Sequence, residues 1–115
     1  MNKTIGFIGG GNMASAIIGG ILNSRLTSED HIIATARTER TLLSLQERFQ
    51  IRTTRSNPEA ASLSDILFLA VKPHLFPEII AEIRDSIPKH AILVSIAAGQ
   101  SLDAIEGFFK KPVKL

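Results

Sequence analysis

The 115-residue chain, 44% hydrophobic and 21% charged, has the balance of one ordinary globular domain and not of a disordered segment. Its formal charge of +2 is spread without a basic stripe outside the tail Lys110-Lys111-Pro112-Val113-Lys114, and its six aromatic residues, all Phe, never alternate with Arg or Lys, which excludes a nucleic-acid surface. Zero cysteines exclude disulfides, thiolate catalysis and sulfur-ligated zinc; with no apolar run of about 18 residues and no secretory signal pattern at residues 1–4, the expectation is a cytoplasmic protein with no membrane partner.

Residues 4–8 form a short apolar run ended by three glycines, the pattern of a buried strand and a tight turn. Behind it Met13, Ala14, Ile17, Ile18, Ile21 and Leu22 fall on one helical face, with Asn12 at the expected cap. A polar connection at 24–30 precedes a second strand at 31–35. A second helix follows, capped by Thr38, with Leu42, Leu45 and Phe49 inward.

Residues 52–54 read as a third, polar strand, and Asn57-Pro58 as the cap and first turn of a short helix. Residues 66–71 are a nearly continuous apolar strand. Pro73 and Pro77 bracket the start of a helix that turns Leu75, Ile79, Ile80, Ile83 and Ile87 inward and closes at Pro88-Lys89. Residues 91–96 are the fifth strand, Ser101 caps a last helix burying Leu102, Ile105 and Phe108 or Phe109, and residues 112–115 resemble the opening of a sixth strand. Strands alternating with helices predict an α/β fold: a doubly wound parallel sheet of the Rossmann type, as a single domain.

The turn Gly9-Gly10-Gly11-Asn12-Met13-Ala14 carries the chemistry. In Gly9-x-Gly11-x-x-Ala14 the first glycine permits the turn, the second lets backbone approach a pyrophosphate, and the small Ala14 lets helix and strand pack closely. The helix start adds unpaired amides and a partial positive charge for the phosphates. A glycine turn alone is also a common structural feature; its place between a strand and a helix of one βαβ unit favours a dinucleotide. Gly19-Gly20, inside the helix, reads as a packing contact.

A site for NAD usually has Asp or Glu at the end of strand two, whereas this strand ends Thr35-Ala36-Arg37-Thr38. Arg37, with the Thr35 and Thr38 hydroxyls and Arg40 nearby, suits a 2′-phosphate, so the expected cofactor is NADP, with NADPH preferred and NADH the alternative. The competing reading makes Arg37 and Arg40 solvated residues of a helix start. Ligands of such sheets lie beyond the carboxyl ends of the strands, which singles out Ala70-Val71-Lys72-Pro73 and Ser95-Ile96-Ala97-Ala98-Gly99. Lys72 reads more readily as a surface charge than as an acid or base. His31, His74 and His90 are scattered over three connections, so neither a metal cluster nor a catalytic dyad is expected.

Taken together, Phe7-Ile8-Gly9-Gly10-Gly11-Asn12-Met13-Ala14, Leu69-Ala70-Val71-Lys72-Pro73-His74 and Ser95-Ile96-Ala97-Ala98-Gly99 closely resemble the N-terminal domain of the Δ1-pyrroline-5-carboxylate reductase family, over essentially the whole chain. The resemblance implies NAD(P)H-dependent reduction of 1-pyrroline-5-carboxylate to L-proline. It also implies contacts of Gly9, Gly10, Gly11, Asn12, Met13 and Ala14 with the pyrophosphate, and of Ala36, Arg37 and Thr38 with the adenosine end. Asn57 is then near the adenosine ribose, and Ala70, Val71, Lys72, Pro73, Ala97, Ala98 and Gly99 are on the nicotinamide side. Family members often carry Asn where this chain has Ala36. The family continues into a helical domain that dimerises and binds the substrate carboxylate; residues 1–115 alone are therefore expected to bind cofactor without reducing the substrate, and to contain no catalytic residue.

Three other readings share the glycine turn. A non-catalytic NADP-binding module needs no nicotinamide pocket; a methyltransferase normally wants an acid where Arg37 stands; and the cofactor domain of a related hydroxyacid dehydrogenase usually differs from Ser-Ile-Ala-Ala-Gly after strand five.

Overall fold

The computed structural model describes residues 3–95. Strands and helices alternate as β1 (Ile5–Ile8), α1 (Asn12–Asn23), β2 (Ile32–Thr35), α2 (Glu39–Phe49), β3 (Arg52–Thr54), α3 (Asn57–Leu63), β4 (Ile66–Leu69), α4 (Phe76–Ile83) and β5 (Ile92–Ser95). Short 3₁₀ turns at Glu29–His31 and Pro73–Leu75 lead into β2 and α4. All strand pairs are parallel, in the order β3-β2-β1-β4-β5, which is the doubly wound arrangement expected.

The order accounts for the composition of the strands. β1 and β2 are buried at every residue, as inner strands of a sheet covered on both faces must be. β3 is an edge, and its Arg52 is exposed while Thr53 and Thr54 are half-buried, so a polar strand is tolerated there. Alternate residues of β1 supply opposite cores. Phe7 packs with Ala14, Ile18 and Leu45 on the side of α1 and α2, whereas Ile8 packs with Ala60, Leu69, Phe76 and Ile80 on the side of α3 and α4. Phe7 also stacks on Phe68 of β4, ring centroids 4.7 Å apart and ring planes nearly parallel at 7°, which couples β1 to its neighbour β4.

Several expected boundaries and caps differ. Asn12 is the first residue of α1 and Gly11 the cap, without a side-chain cap bond; Met13, expected on the inner face, is 59% exposed. Ser56, not Asn57, caps α3 by accepting the Glu59 amide at 3.2 Å. β4 ends at Leu69 and not Val71, although the Ala70 amide still donates to the Ile8 carbonyl at 2.9 Å. The helix expected from Pro73 divides into the 3₁₀ turn and α4, whose Phe76, absent from the expected inner face, is fully buried. Ile87 lies beyond α4 but packs against the same core.

Thr38 caps α2 as expected, accepting the Thr41 amide at 3.2 Å. A Cβ on Gly19 would meet the Phe49 ring at an ordinary 3.6 Å and one on the exposed Gly20 nothing within 4 Å, so close packing does not require this glycine pair, contrary to expectation. The last helix, the sixth strand and Ala97, Ala98 and Gly99 lie outside the described residues. Among the described residues no helix is long and apolar enough to cross a membrane.

Candidate cofactor-binding site

β1 pairs with β2 on one side and β4 on the other. The chain therefore runs outward from β1 through β2 to β3, then returns to the far side of β1 for β4 and β5. The connections after β1 and β4 leave in opposite directions, which opens a crevice at the carboxyl ends of these strands, where ligands of doubly wound sheets bind.

Gly9 lies at φ +99°, in the region that side chains rarely adopt, and a Cβ there would sit 2.9 Å from both the Ala70 carbonyl oxygen and Val71 Cγ1. This glycine serves the fold: it lets the turn pass against the connection after β4. Gly11 is different. Its backbone is extended (φ −76°, ψ −167°), and a Cβ there would meet nothing within 4 Å. None of the described residues comes close enough to demand glycine at this position, and the open space lies at the start of the 12-residue α1, whose first amides have no intrahelical acceptor. Asn12 and Met13 are exposed in this first turn and Ala14 is buried beneath it.

Two adjoining cavities share Gly9, Ala36, Arg37 and Val71. One, of about 390 Å³, is lined by the glycine turn, Thr38, Ala70, Lys72 and His74. The other, of about 260 Å³, is lined by Thr35, Arg55 and Asn57. Of the residues expected to bind cofactor, the described ones that line these cavities are thus Gly9, Gly10, Gly11, Ala36, Arg37, Thr38, Asn57, Ala70, Val71 and Lys72. Pro73 is exposed at the start of the 3₁₀ turn, with Lys72 before it and His74 after it.

At the end of β2 the roles differ from expectation. Thr35 is 2% exposed and its hydroxyl oxygen accepts the Gly9 amide at 3.1 Å, so it holds the turn. The Thr38 hydroxyl accepts the Thr41 amide and donates to Thr41 Oγ1 at 3.0 Å. Arg40 does not line the two cavities of Arg37; with Arg48 it borders a third hollow that adjoins them at Gly10, Gly11 and Thr41 and takes in Asn12. The second cation beside Arg37 is instead Arg55, absent from the expected set, whose Nη2 donates to the Arg37 carbonyl at 2.9 Å. Asn57 donates from Nδ2 to Glu82 Oε1 at 2.9 Å, which leaves its amide oxygen as an acceptor or for a ligand hydroxyl.

His90, read from sequence as isolated, pairs with Asp65: Nε2 lies 2.7 Å from Oδ1, while Asp65 Oδ2 accepts the Thr4 amide at 2.8 Å. The Thr4 amide first, then His90, hold the Asp65 carboxyl below its ordinary 3.8. This cluster ties together the amino ends of the sheet, remote from the crevice, since Asp65 precedes β4 and its backbone also bonds Thr4 and Ile92.

Open space at Gly11 fits the pyrophosphate of either dinucleotide; two exposed arginines at the β2–β3 end and no acidic side chain among the described residues lining either cavity fit one with a 2′-phosphate better than one with a bare ribose.

Comparison with known proteins agrees. Pyrroline-5-carboxylate reductase of Escherichia coli (strain K12) is 39% identical over 105 residues, 91% of this chain and 39% of that protein. The structure of a pyrroline-5-carboxylate reductase from Coxiella burnetii superposes with a TM-score of 0.88 at 33% identity, covering 96% of this chain and 41% of that one. The Plasmodium falciparum pyrroline carboxylate reductase crystallised with NADP bound gives a TM-score of 0.81 at 25% identity, covering 94% of this chain and 38% of that one. The chain spans about a third to two fifths of the length of the curated relatives it matches. Residues 4–99 match the family model described as NADP oxidoreductase coenzyme F420-dependent. On that match, which takes in the glycine turn and all five described strands, the chain belongs to this family of NADP oxidoreductases.

Proposed function

We propose that this chain is the NADPH-holding domain of a pyrroline-5-carboxylate reductase. The observation that carries the reading is Gly11: a glycine with room for a side chain, set at a helix start in the crevice between β1 and β4, is what a pyrophosphate needs and what folding alone does not. Residues 9–14 hold the pyrophosphate, residues 36–38 the adenosine end, and Asn57 its ribose. Residues 70–73, with Ala97, Ala98 and Gly99, border the nicotinamide.

When bound, the nicotinamide supplies a hydride to the imine carbon of 1-pyrroline-5-carboxylate. The described residues bind and orient the cofactor, and none of them is assigned a proton transfer; Lys72 stays a surface cation at the mouth of the crevice. The groups that bind the substrate carboxylate belong to a helical domain supplied by the rest of a longer, dimeric protein, which works in proline synthesis in the cytoplasm. Residues 1–115 by themselves bind NADPH without turnover.

Titration with NADPH and NADH, alongside an assay of pyrroline-5-carboxylate reduction, tests this. The expected result is saturable NADPH binding, tighter than NADH and weakened in Arg37→Ala, with no reduction of substrate. Failure to bind NADPH, or turnover by the 115-residue chain, contradicts it.

A further inference from the structure

We propose that Arg55 is a specificity-determining residue which, together with Arg37, selects a dinucleotide carrying a 2′-phosphate. The inference rests on the NADPH reading above but concerns a residue that neither the glycine turn nor the end of β2 identifies. Arg55 directly follows β3, and Thr54 of β3 pairs in register with Thr35 of β2. Parallel pairing therefore places Arg55 at the same carboxyl edge as Ala36 and Arg37, one strand further out. Its Nη2 reaches across to donate to the Arg37 carbonyl at 2.9 Å, and both arginines line the cavity of about 260 Å³.

A guanidinium has five N–H donors in a planar fork that matches a phosphate. One of those on Arg55 is used on Arg37, which fixes the direction of the side chain and leaves the rest of the fork available. Two cations beside one cavity repel each other unless an anion lies between them, and no acidic side chain is among its described lining residues. Of the acids on α3 and α4, Glu59 accepts the Thr54 hydroxyl and Glu82 the Asn57 amide, and neither these nor Glu78 is among the described residues lining the cavity. The ligand this pair of arginines suits is a dianion of phosphate size on the adenosine ribose.

The competing role is that Arg55 only holds the Arg37 backbone in place, which would matter equally to both dinucleotides. Dissociation constants of NADPH, NADH, adenosine 2′,5′-bisphosphate and 5′-AMP, measured on the 115-residue chain and its Arg55→Ala, Arg55→Lys and Arg37→Ala variants, separate the two. Arg55→Ala is expected to weaken the two 2′-phosphorylated ligands about tenfold or more, the scale of a lost charge-assisted bond, and to leave NADH and 5′-AMP within about twofold; Arg55→Lys recovers part of the loss. Equal weakening of all four ligands, or unchanged NADPH binding, overturns the inference. If the parent chain itself binds NADPH no tighter than NADH, the underlying reading fails; if it prefers NADPH and only Arg37→Ala removes the preference, the role of Arg55 alone fails.

Discussion

The Gly9 amide donates to the Thr35 hydroxyl at 3.1 Å, a bond from the turn after β1 to the last residue of β2. Thr35 is almost wholly buried, whereas Gly9 is half-buried at the crevice, so water can partly replace the hydroxyl as a partner. In Thr35→Val, of nearly the same shape, the amide loses its protein acceptor, and a loss of about 1 kcal/mol in unfolding free energy is expected. Chemical denaturation checks this, and the deficit should appear with or without cofactor.

Gly9 and Gly11 should separate folding from binding. Gly9→Ala combines a positive φ with contacts at 2.9 Å and should cost ~1–3 kcal/mol from the backbone alone. Gly11→Asn places a good cap residue where space is open. Its melting temperature should hold or rise, while NADPH affinity falls by an order of magnitude because the side chain enters the pyrophosphate's space. If Gly11→Asn bound NADPH like the parent chain, the pyrophosphate assignment would be wrong.

Ser56 and Asn57 compete for one role. Ser56→Ala should destabilise the chain by about 1 kcal/mol through loss of the α3 cap, whereas Asn57→Ala, which removes an exposed bond to Glu82, should stay within ~0.5 kcal/mol. Thermal melts of the two variants rank them. The reverse order would make Asn57 the cap.

Much of this architecture is legible in the sequence. Inner strands are apolar runs, the Gly9–Gly11 turn follows directly, and Thr38 caps α2 as its position before Glu39 predicts. The misassigned positions are those where local chemistry is degenerate. Ser56-Asn57-Pro58 offers two cap residues, and proline is acceptable as either the first or the second helical residue; tertiary contact decides, through the reach of Asn57 to Glu82. Thr35 looks like a ligand hydroxyl until the crossing of the glycine turn over β2 is known. Arg55 sits 18 residues from Arg37, and only the parallel register brings the two together.

Asp65 should give stability an acid limb. Its carboxyl titrates below the ordinary 3.8 in the folded chain, chiefly because the Thr4 amide, then His90, stabilise the charged form. Since the folded value is the lower one, this contribution is fully present above about 3.8 and is lost as pH falls through the folded value. Asp65→Asn should lower stability near neutral pH and flatten the decline in stability below about pH 4. An unchanged acid limb in the variant would remove Asp65 from the account.

The most direct test of the central claim is a titration of the isotope-labelled chain with NADPH, followed amide by amide. The account predicts saturable shifts concentrated at Gly9, Gly10, Gly11, Ala36, Arg37 and Val71, the residues that join the two cavities and their turn, with NADH needing a higher concentration for the same response. Shifts centred elsewhere, such as the amino end of the sheet around Asp65 and His90, or no saturation by NADPH, would contradict it.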